Sequence, residues 1–203
     1  MKKYIYLILG FLCCSYLFYY ILNLEKYNSK LKNDLQKELY IKYYLETIHK
    51  QSNKLLGKRI NFSLVKDSSR FNLKEVCKFP CLITFLPDAE NTCMSCINYA
   101  LSSINNLYPE YAKDSSFVII SKKYHPELKE RIIRKKIYYV DELCNDTLDI
   151  MYDLPIYFLV DENLKIISSF IPNGDMNTRI YVERYLNSTL KYINGSLNKT
   201  IAH

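Results

Sequence analysis

Two cysteines stand three positions apart in Asn91-Thr92-Cys93-Met94-Ser95-Cys96-Ile97, downstream of the apolar run Cys81-Leu82-Ile83-Thr84-Phe85-Leu86. Thiols at i and i+3 share one face of a helix, so a helix beginning at this point lets the two sulfurs meet. Thr92 is a suitable N-cap, which puts Cys93 in the first turn. Unpaired amides and the positive end of the helix dipole favour a thiolate there, making Cys93 the expected nucleophile. Cys96, one turn further in, is the expected resolving thiol. The chemistry implied is thiol–disulfide exchange: attack by Cys93, a mixed disulfide, then release by Cys96. Taken alone, the pair could also be a structural staple or half of a metal site.

The elements that must position this pair are legible as an alternation of strands and helices. Cys81 to Leu86 reads as a short apolar strand and Cys93 to Leu107 as a helix, by the spacing of Ile97, Leu101, Ile104 and Leu107. Phe117 to Ser121 is a second strand. A helix is expected near Pro126 to Lys135, followed by a strand at Ile137 to Val140. Ile156 to Val160 and Leu164 to Phe170 flank the turn Asp161-Glu162-Asn163 as a hairpin, and Asn177 to Ile193 closes the domain as an amphipathic helix. Upstream, Gly57 ends a long helix and Arg59 to Leu64 alternates as an edge strand would. This order predicts a mixed α/β sheet flanked by helices.

A second feature lies far from the cysteines, in Tyr152-Asp153-Leu154-Pro155-Ile156, where Pro155 opens a strand. With the Cys-x-x-Cys helix before it and the hairpin after it, the stretch from Gly57 to Ile193 resembles the thioredoxin superfamily, in particular its TlpA-like extracytoplasmic branch. The resemblance implies a thioredoxin-like fold, with Cys93 and Cys96 as the redox pair and Pro155 as a cis-proline close to the Cys93 sulfur. It also implies that Ile137-Tyr138-Tyr139-Val140-Asp141 belongs to an inserted unit. Thr92, Met94, Ser95, Leu154 and Pro155 then line the place where a substrate strand is held. The chain departs from the family pattern in having Thr92 where Trp is frequent and Leu154 where Thr or Val is usual, and in lacking an evident buried carboxylate near the cysteine helix. Asp88 and Glu90 read as solvated loop charges.

The remaining cysteines and histidines read more quietly. Cys77 and Cys81, in Cys77-Lys78-Phe79-Pro80-Cys81, are two buried thiols, a structural disulfide, or a metal or redox pair. Cys144 reads as a buried structural thiol or a third exchanging cysteine. His49, His125 and His203 are the only histidines, too scattered for a zinc cluster. Sco-type copper chaperones share the thioredoxin fold but space their cysteines Cys-x3-Cys, which leaves copper carriage a minor alternative. No metal and no cofactor are expected.

The chain has 203 residues, a formal net charge of +7 and 49% hydrophobic residues, enough for one domain and an extra segment. Its basic residues are dispersed, without the clustered basic and aromatic stripes of a nucleic-acid surface, so nucleic acid is not an expected partner. Twenty Tyr and no Trp do not discriminate among functions. Tyr4 to Leu24 carries no charged side chain, and a helix of that length reaches about 30 Å, the thickness of a bilayer core. Lys2 and Lys3 before it favour a cytoplasmic N-terminus and place the remainder on the far side. The run ends in Tyr-Tyr-Ile-Leu-Asn-Leu, which favours an uncleaved anchor over a removable signal. A lipoprotein reading through Cys13 or Cys14 is the third choice, since Gly10-Phe11-Leu12 lacks a small residue directly ahead of the cysteine. All three readings lead to an oxidising extracytoplasmic compartment, such as the periplasm.

The expected organisation is an anchor over 1–24, a helical stalk over 25–56, a thioredoxin-like domain over 57–193 and a frayed tail over 194–203. The stalk's apolar positions drift around the helix, favouring a loosely packed stalk over a coiled coil. The expected partners are protein thiol or disulfide substrates, a redox partner protein and the membrane. A domain of this fold that carries an inert disulfide and only binds other proteins is the alternative function.

Overall fold

A computed structural model of the chain describes residues 2–60, 62–66, 69–87, 93–122, 135–143, 154–172 and 174–201. The chain divides into two compact units, Met1–Leu45 and Glu46–His203. Helix α1 spans Lys2–Leu55, so its last turns belong with the second unit. The sequence places those turns in the stalk; burial of Ile48 and Leu55 explains why they join the folded unit. In the first unit, the side chains from Gly10 to Tyr40 are exposed. Among the residues with described side chains, no helix is long and apolar enough to cross a membrane. The charge-free run Tyr4 to Leu24 lies only partly within that set, because the side chains of Ile5 to Leu9 are not described.

The second unit is built on seven strands in the order β2-β1-β5-β4-β3-β6-β7. Strand β3, Cys81–Leu86, is buried at every position. It runs parallel to β4 (Phe117–Ser121) and antiparallel to β6 (Ile156–Val160). All three are buried along their whole length, which is why they read as continuous apolar runs without alternation. Helix α3, Met94–Leu107, makes the crossover from β3 to β4 and buries Cys96, Ile97, Ala100, Leu101 and Ile104. The Tyr157 hydroxyl, from buried β6, donates to the Ala100 carbonyl at 2.6 Å and ties this helix to the strand beside β3.

Strand β5, Ile137–Leu143, pairs parallel with β4 and antiparallel with β1, Phe62–Lys66. The stretch expected as an edge strand therefore takes another place. Arg59 makes an isolated bridge with Lys165, while β1 lies inside the sheet. The edge is β2, Ser69–Asn72, which the sequence did not signal because its residues are mostly exposed and carry no apolar alternation. Helix α2, Leu73–Val76, follows it and ends at Cys77. The helix expected near Pro126 lies outside the described residues apart from Lys135.

Gly57, with φ of 75°, terminates α1 in the left-handed conformation that glycine adopts without a Cβ clash, and its amide donates to Ile166. At the other side of the sheet β7 covers Ile166–Phe170. The hairpin between β6 and β7 is closed by the Asp161 carboxylate, which accepts from the amides of Asn163 and Lys165 at 2.9 and 2.8 Å.

A 3-10 turn at Met176–Thr178 leads into α4, Arg179–Ile201. Val182, Leu186, Thr189 and Ile193 form its buried stripe, whereas Ile180 is exposed. The frayed tail expected from Asn194 is instead helical through Ile201. Only Gly195 interrupts that stretch, and its other described residues are compatible with helix propagation. With β3-α3-β4 followed by β6-β7-α4 on one mixed sheet, the fold is the expected thioredoxin-like α/β architecture.

Tyr185 on α4 stacks on Phe170 with ring centroids 5.0 Å apart, and its hydroxyl lies 3.0 Å from Ser168 Oγ. Tyr185 is half-buried as a residue, and burial of its hydroxyl pushes the pKa up to about 12. The folded state holds this proton more tightly than the unfolded chain, whose phenol titrates near 10. Stability from this group is thus complete below pH ~10 and falls as pH rises towards ~12. Urea unfolding across that window should show a shallower loss for Tyr185→Phe than for the wild type; parallel curves would contradict it.

Candidate functional site

The chain leaves β3 at Leu86 and Pro87, and the residues from Asp88 to Thr92 lie outside the described set. Cys93 is itself the N-cap of α3, with extended backbone, and its Sγ accepts from the Cys96 amide at 3.3 Å. This corrects the expected cap at Thr92. A cap needs an extended backbone and a side-chain acceptor that can reach the third helical amide, and the Cys93 sulfur meets both conditions. The Cys93 carbonyl receives the amides of Cys96 and Ile97 at 2.9 and 3.1 Å.

Cys93 and Cys96 are bonded as a disulfide with their Cα atoms 5.2 Å apart, inside the normal range for such a bridge. The two sides of the bridge differ in access. Cys93 is exposed, whereas Cys96 retains 8% of its surface and packs with Ile97 and Ala100 under the helix. Ser95 Oγ lies 2.9 Å from Cys93 Sγ, and Ser95 is exposed while Met94 is half-buried. A reagent from solvent thus meets the Cys93 sulfur first, with an amide and a hydroxyl in place to stabilise a negative sulfur.

The pairing of Phe85 with Ile156 brings the preceding Leu154-Pro155 to the end of the sheet where β3 delivers the chain to Cys93. Pro155 is buried and Leu154 half-buried. The expected cis bond is not at Pro155: among the described residues, the cis peptide joins Phe79 to Pro80. Isomers of an X–Pro bond differ by only about 0.5–1 kcal/mol in a chain free of tertiary constraint, so spacing alone does not assign one.

The sequence did not single out the β7–α4 connection as part of this region. A side chain at Gly174 would come within 3.9 Å of the Ser95 carbonyl and 3.8 Å of Tyr99 Cβ, so this connection borders the cysteine helix. The turn signal in Pro172-Asn173-Gly174-Asp175 marks a loop, but not which helix the loop approaches.

Other expected candidates fall elsewhere. Cys77 and Cys81 are buried and free, and β3 separates them from the Cys93 end. His49 Nε2 lies 3.1 Å from Asn53 Nδ2 on α1. Cys144, His125, His203, Asp88 and Glu90 lie outside the described residues. No group of three or more metal-ligating side chains occurs among the described ones.

No protein-family model and no curated protein sequence matches the chain. Solved structures resemble it at low identity. A thio-disulfide isomerase from Thermus thermophilus is 15% identical over 64% of this chain and 96% of its own, with a TM-score of 0.42. A putative thiol:disulfide interchange protein DsbE from Chlorobium tepidum is 14% identical over 66% and 97%, with a TM-score of 0.44. A 2-Cys peroxiredoxin from Plasmodium vivax is 16% identical over 68% and 98%, with a TM-score of 0.41.

The contact between Ser95 and Cys93 has a measurable consequence. A hydroxyl donating to a thiolate contributes about 0.7–1.4 kcal/mol, so in the reduced protein Ser95→Ala should slow iodoacetamide alkylation of Cys93 at neutral pH roughly three- to tenfold. An unchanged rate would show that the hydroxyl does not act on the reactive sulfur.

Proposed function

We propose that this protein is a thiol–disulfide oxidoreductase acting on protein substrates, anchored to the cytoplasmic membrane with its folded unit in the extracytoplasmic space. The observation that carries the redox reading is the unequal access of one disulfide, with Cys93 exposed at the helix cap and Cys96 buried beneath it. The anchor rests on the uncharged run Tyr4 to Leu24 behind Lys2 and Lys3.

In the reducing direction, the Cys93 thiolate attacks one sulfur of a substrate disulfide and the other substrate sulfur leaves as a thiolate that takes up a proton. Cys96 then gives up its proton and attacks the Cys93 sulfur. The substrate's second thiol is released and the Cys93–Cys96 bridge is formed. The opposite direction runs the same steps in reverse. The Cys93 cap, Met94 and Ser95 on one side and Leu154-Pro155 on the other would hold an extended substrate segment, with Thr92 as a further contact. The TlpA-like assignment belongs to this proposal, as do the partners, a protein thiol or disulfide and a second redox protein.

The bridge seen between Cys93 and Cys96 equally suits a binding module that keeps its disulfide permanently. Trapping separates the two readings. Cys96→Ser should accumulate mixed disulfides with native partners, visible as reductant-sensitive bands, while Cys93→Ser should yield few or none. Equal trapping by both variants, or none by either, together with a wild-type pair that resists dithiothreitol, would favour the binding module. For the topology, a reporter that works only outside the cytoplasm should be active when fused after His203; activity confined to a cytoplasmic reporter would overturn the anchor orientation.

A further inference from the structure

A second pair of thiols lies at the opposite end of β3 from the disulfide. Cys77 follows α2 and Cys81 opens β3, and both are free and buried. Their side chains lie close enough to influence one another's ionisation, and Cys77 Sγ donates to the Leu73 carbonyl at 2.8 Å. Cys77 keeps 8% of its surface accessible while Cys81 keeps none. Unlike Cys93, neither sulfur of this pair is exposed; Cys77 is the less deeply buried of the two.

The segment is held in place by its neighbours. The amides of Lys78 and Leu82 donate to the carbonyls of Ser115 and Ser116 at 3.0 and 2.8 Å. Lys135 Nζ donates to the carbonyls of Tyr111, at 2.7 Å, and Asp114 in that same loop. This half-buried ammonium is close enough to act electrostatically on both sulfurs. Burial lowers its pKa, while Asp114 and the two thiols oppose that shift. A cation near the sulfurs disfavours a metal ion between them, and at Cys81 it opposes, without outweighing, the burial and the Asp114 carboxylate that disfavour a thiolate.

We propose that Cys77 and Cys81 form a second thiol–disulfide couple, independent of Cys93–Cys96, that is oxidised by low-molecular-weight disulfides and reduced by small thiols. Cys77 loses its proton and attacks one sulfur of the small disulfide, whose S–S bond breaks, and the departing thiolate takes up a proton. Cys81 loses its proton and attacks the Cys77 sulfur, and the second small thiol leaves, also protonated. Two protein thiols are oxidised by two electrons and one small disulfide becomes two thiols. Burial, with Cys77 adding to it, raises the free Cys81 thiol well above its ordinary pKa. The six residues of β3 place Cys81 about 16 Å from Leu86, too far for exchange with Cys93–Cys96 within one molecule.

The full chain in detergent, reduced and then equilibrated across ratios of reduced to oxidised glutathione, tests this. After acid quenching and alkylation, trypsin cuts at Lys78, so Cys77 and Cys81 leave on separate peptides joined only by a disulfide. In the Cys93→Ser/Cys96→Ser variant the Cys81 peptide holds no other cysteine, and the linked pair should appear in oxidising buffers and vanish with dithiothreitol. In the wild type, a further chymotryptic cut after Phe85 separates Cys81 from Cys93 and should reveal the same link, at a glutathione ratio different from that of Cys93–Cys96. Lys135→Met should slow formation of the link several-fold and leave the Cys93–Cys96 rate unchanged. The proposal is overturned if both thiols stay alkylated at every ratio, if they carry glutathione without linking, or if Cys77 links to Cys144. An unaltered rate in Lys135→Met overturns the part given to the lysine. None of these readings depends on trapping by Cys93, so this inference and the proposed function can fail separately.

Discussion

The burial of β3 on both faces, with β4 on one flank and β6 on the other, is the constraint from which the geometry of both cysteine pairs follows. A strand with no exposed residue cannot shift register without burying a different set of side chains and unpairing its ladders, so its two ends are fixed points. One end delivers Leu86 and Pro87 towards the Cys93 cap; the other begins at Cys81 beside Cys77. The crossover of α3 onto the sheet then sets how deeply Cys96 lies, because Ile97, Ala100, Leu101 and Ile104 must reach the same core.

The sulfur of Cys93 takes part in three relationships that pull the same way. It accepts the Cys96 amide, lies against the Ser95 hydroxyl and is joined to the Cys96 sulfur. In the bridged state these contacts cap the helix. In the reduced state, donors at the same sites would favour a thiolate, because an ionised acceptor strengthens each hydrogen bond it receives. Under the proposed exchange chemistry, the cap that stabilises the helix would also prepare the nucleophile.

At the far end of β3 the same element types produce a different environment. Cys81 sits inside the core, where desolvation opposes ionisation, and the neighbouring charges are the Lys135 ammonium, held by two carbonyls, and the Asp114 carboxylate. Among the described residues, neither a helix amide nor a solvent-facing hydroxyl contacts the sulfurs of this pair, and Cys77 is the less deeply buried of the two. Two cysteine pairs of similar composition thus differ in exposure and surroundings through placement alone.

The sequence by itself determined the βαβ unit, the hairpin and the final helix, since long apolar runs and helical spacing survive any detail of packing. It also singled out Cys93 and Cys96, because two cysteines three apart at a strand-to-helix junction form a local pattern. It could not show that Cys93 would displace Thr92 as the cap, because that choice depends on how the chain leaves β3. Nor could it locate β2, whose exposed residues bear no periodic signal, or place Arg59 against Lys165, far away in the chain. The last turns of α1 join the folded unit and α4 continues past Ile193, and both follow from which faces find apolar partners and from the absence of a strong stop signal. Only the tertiary structure decided that Lys135 would stand by Cys77 and Cys81, since it comes from a distant segment and is brought there by the parallel pairing of β4 with β5. Local spacing fixes which atoms can meet along one element, whereas contacts between elements depend on sheet order, which a single chain's pattern leaves open.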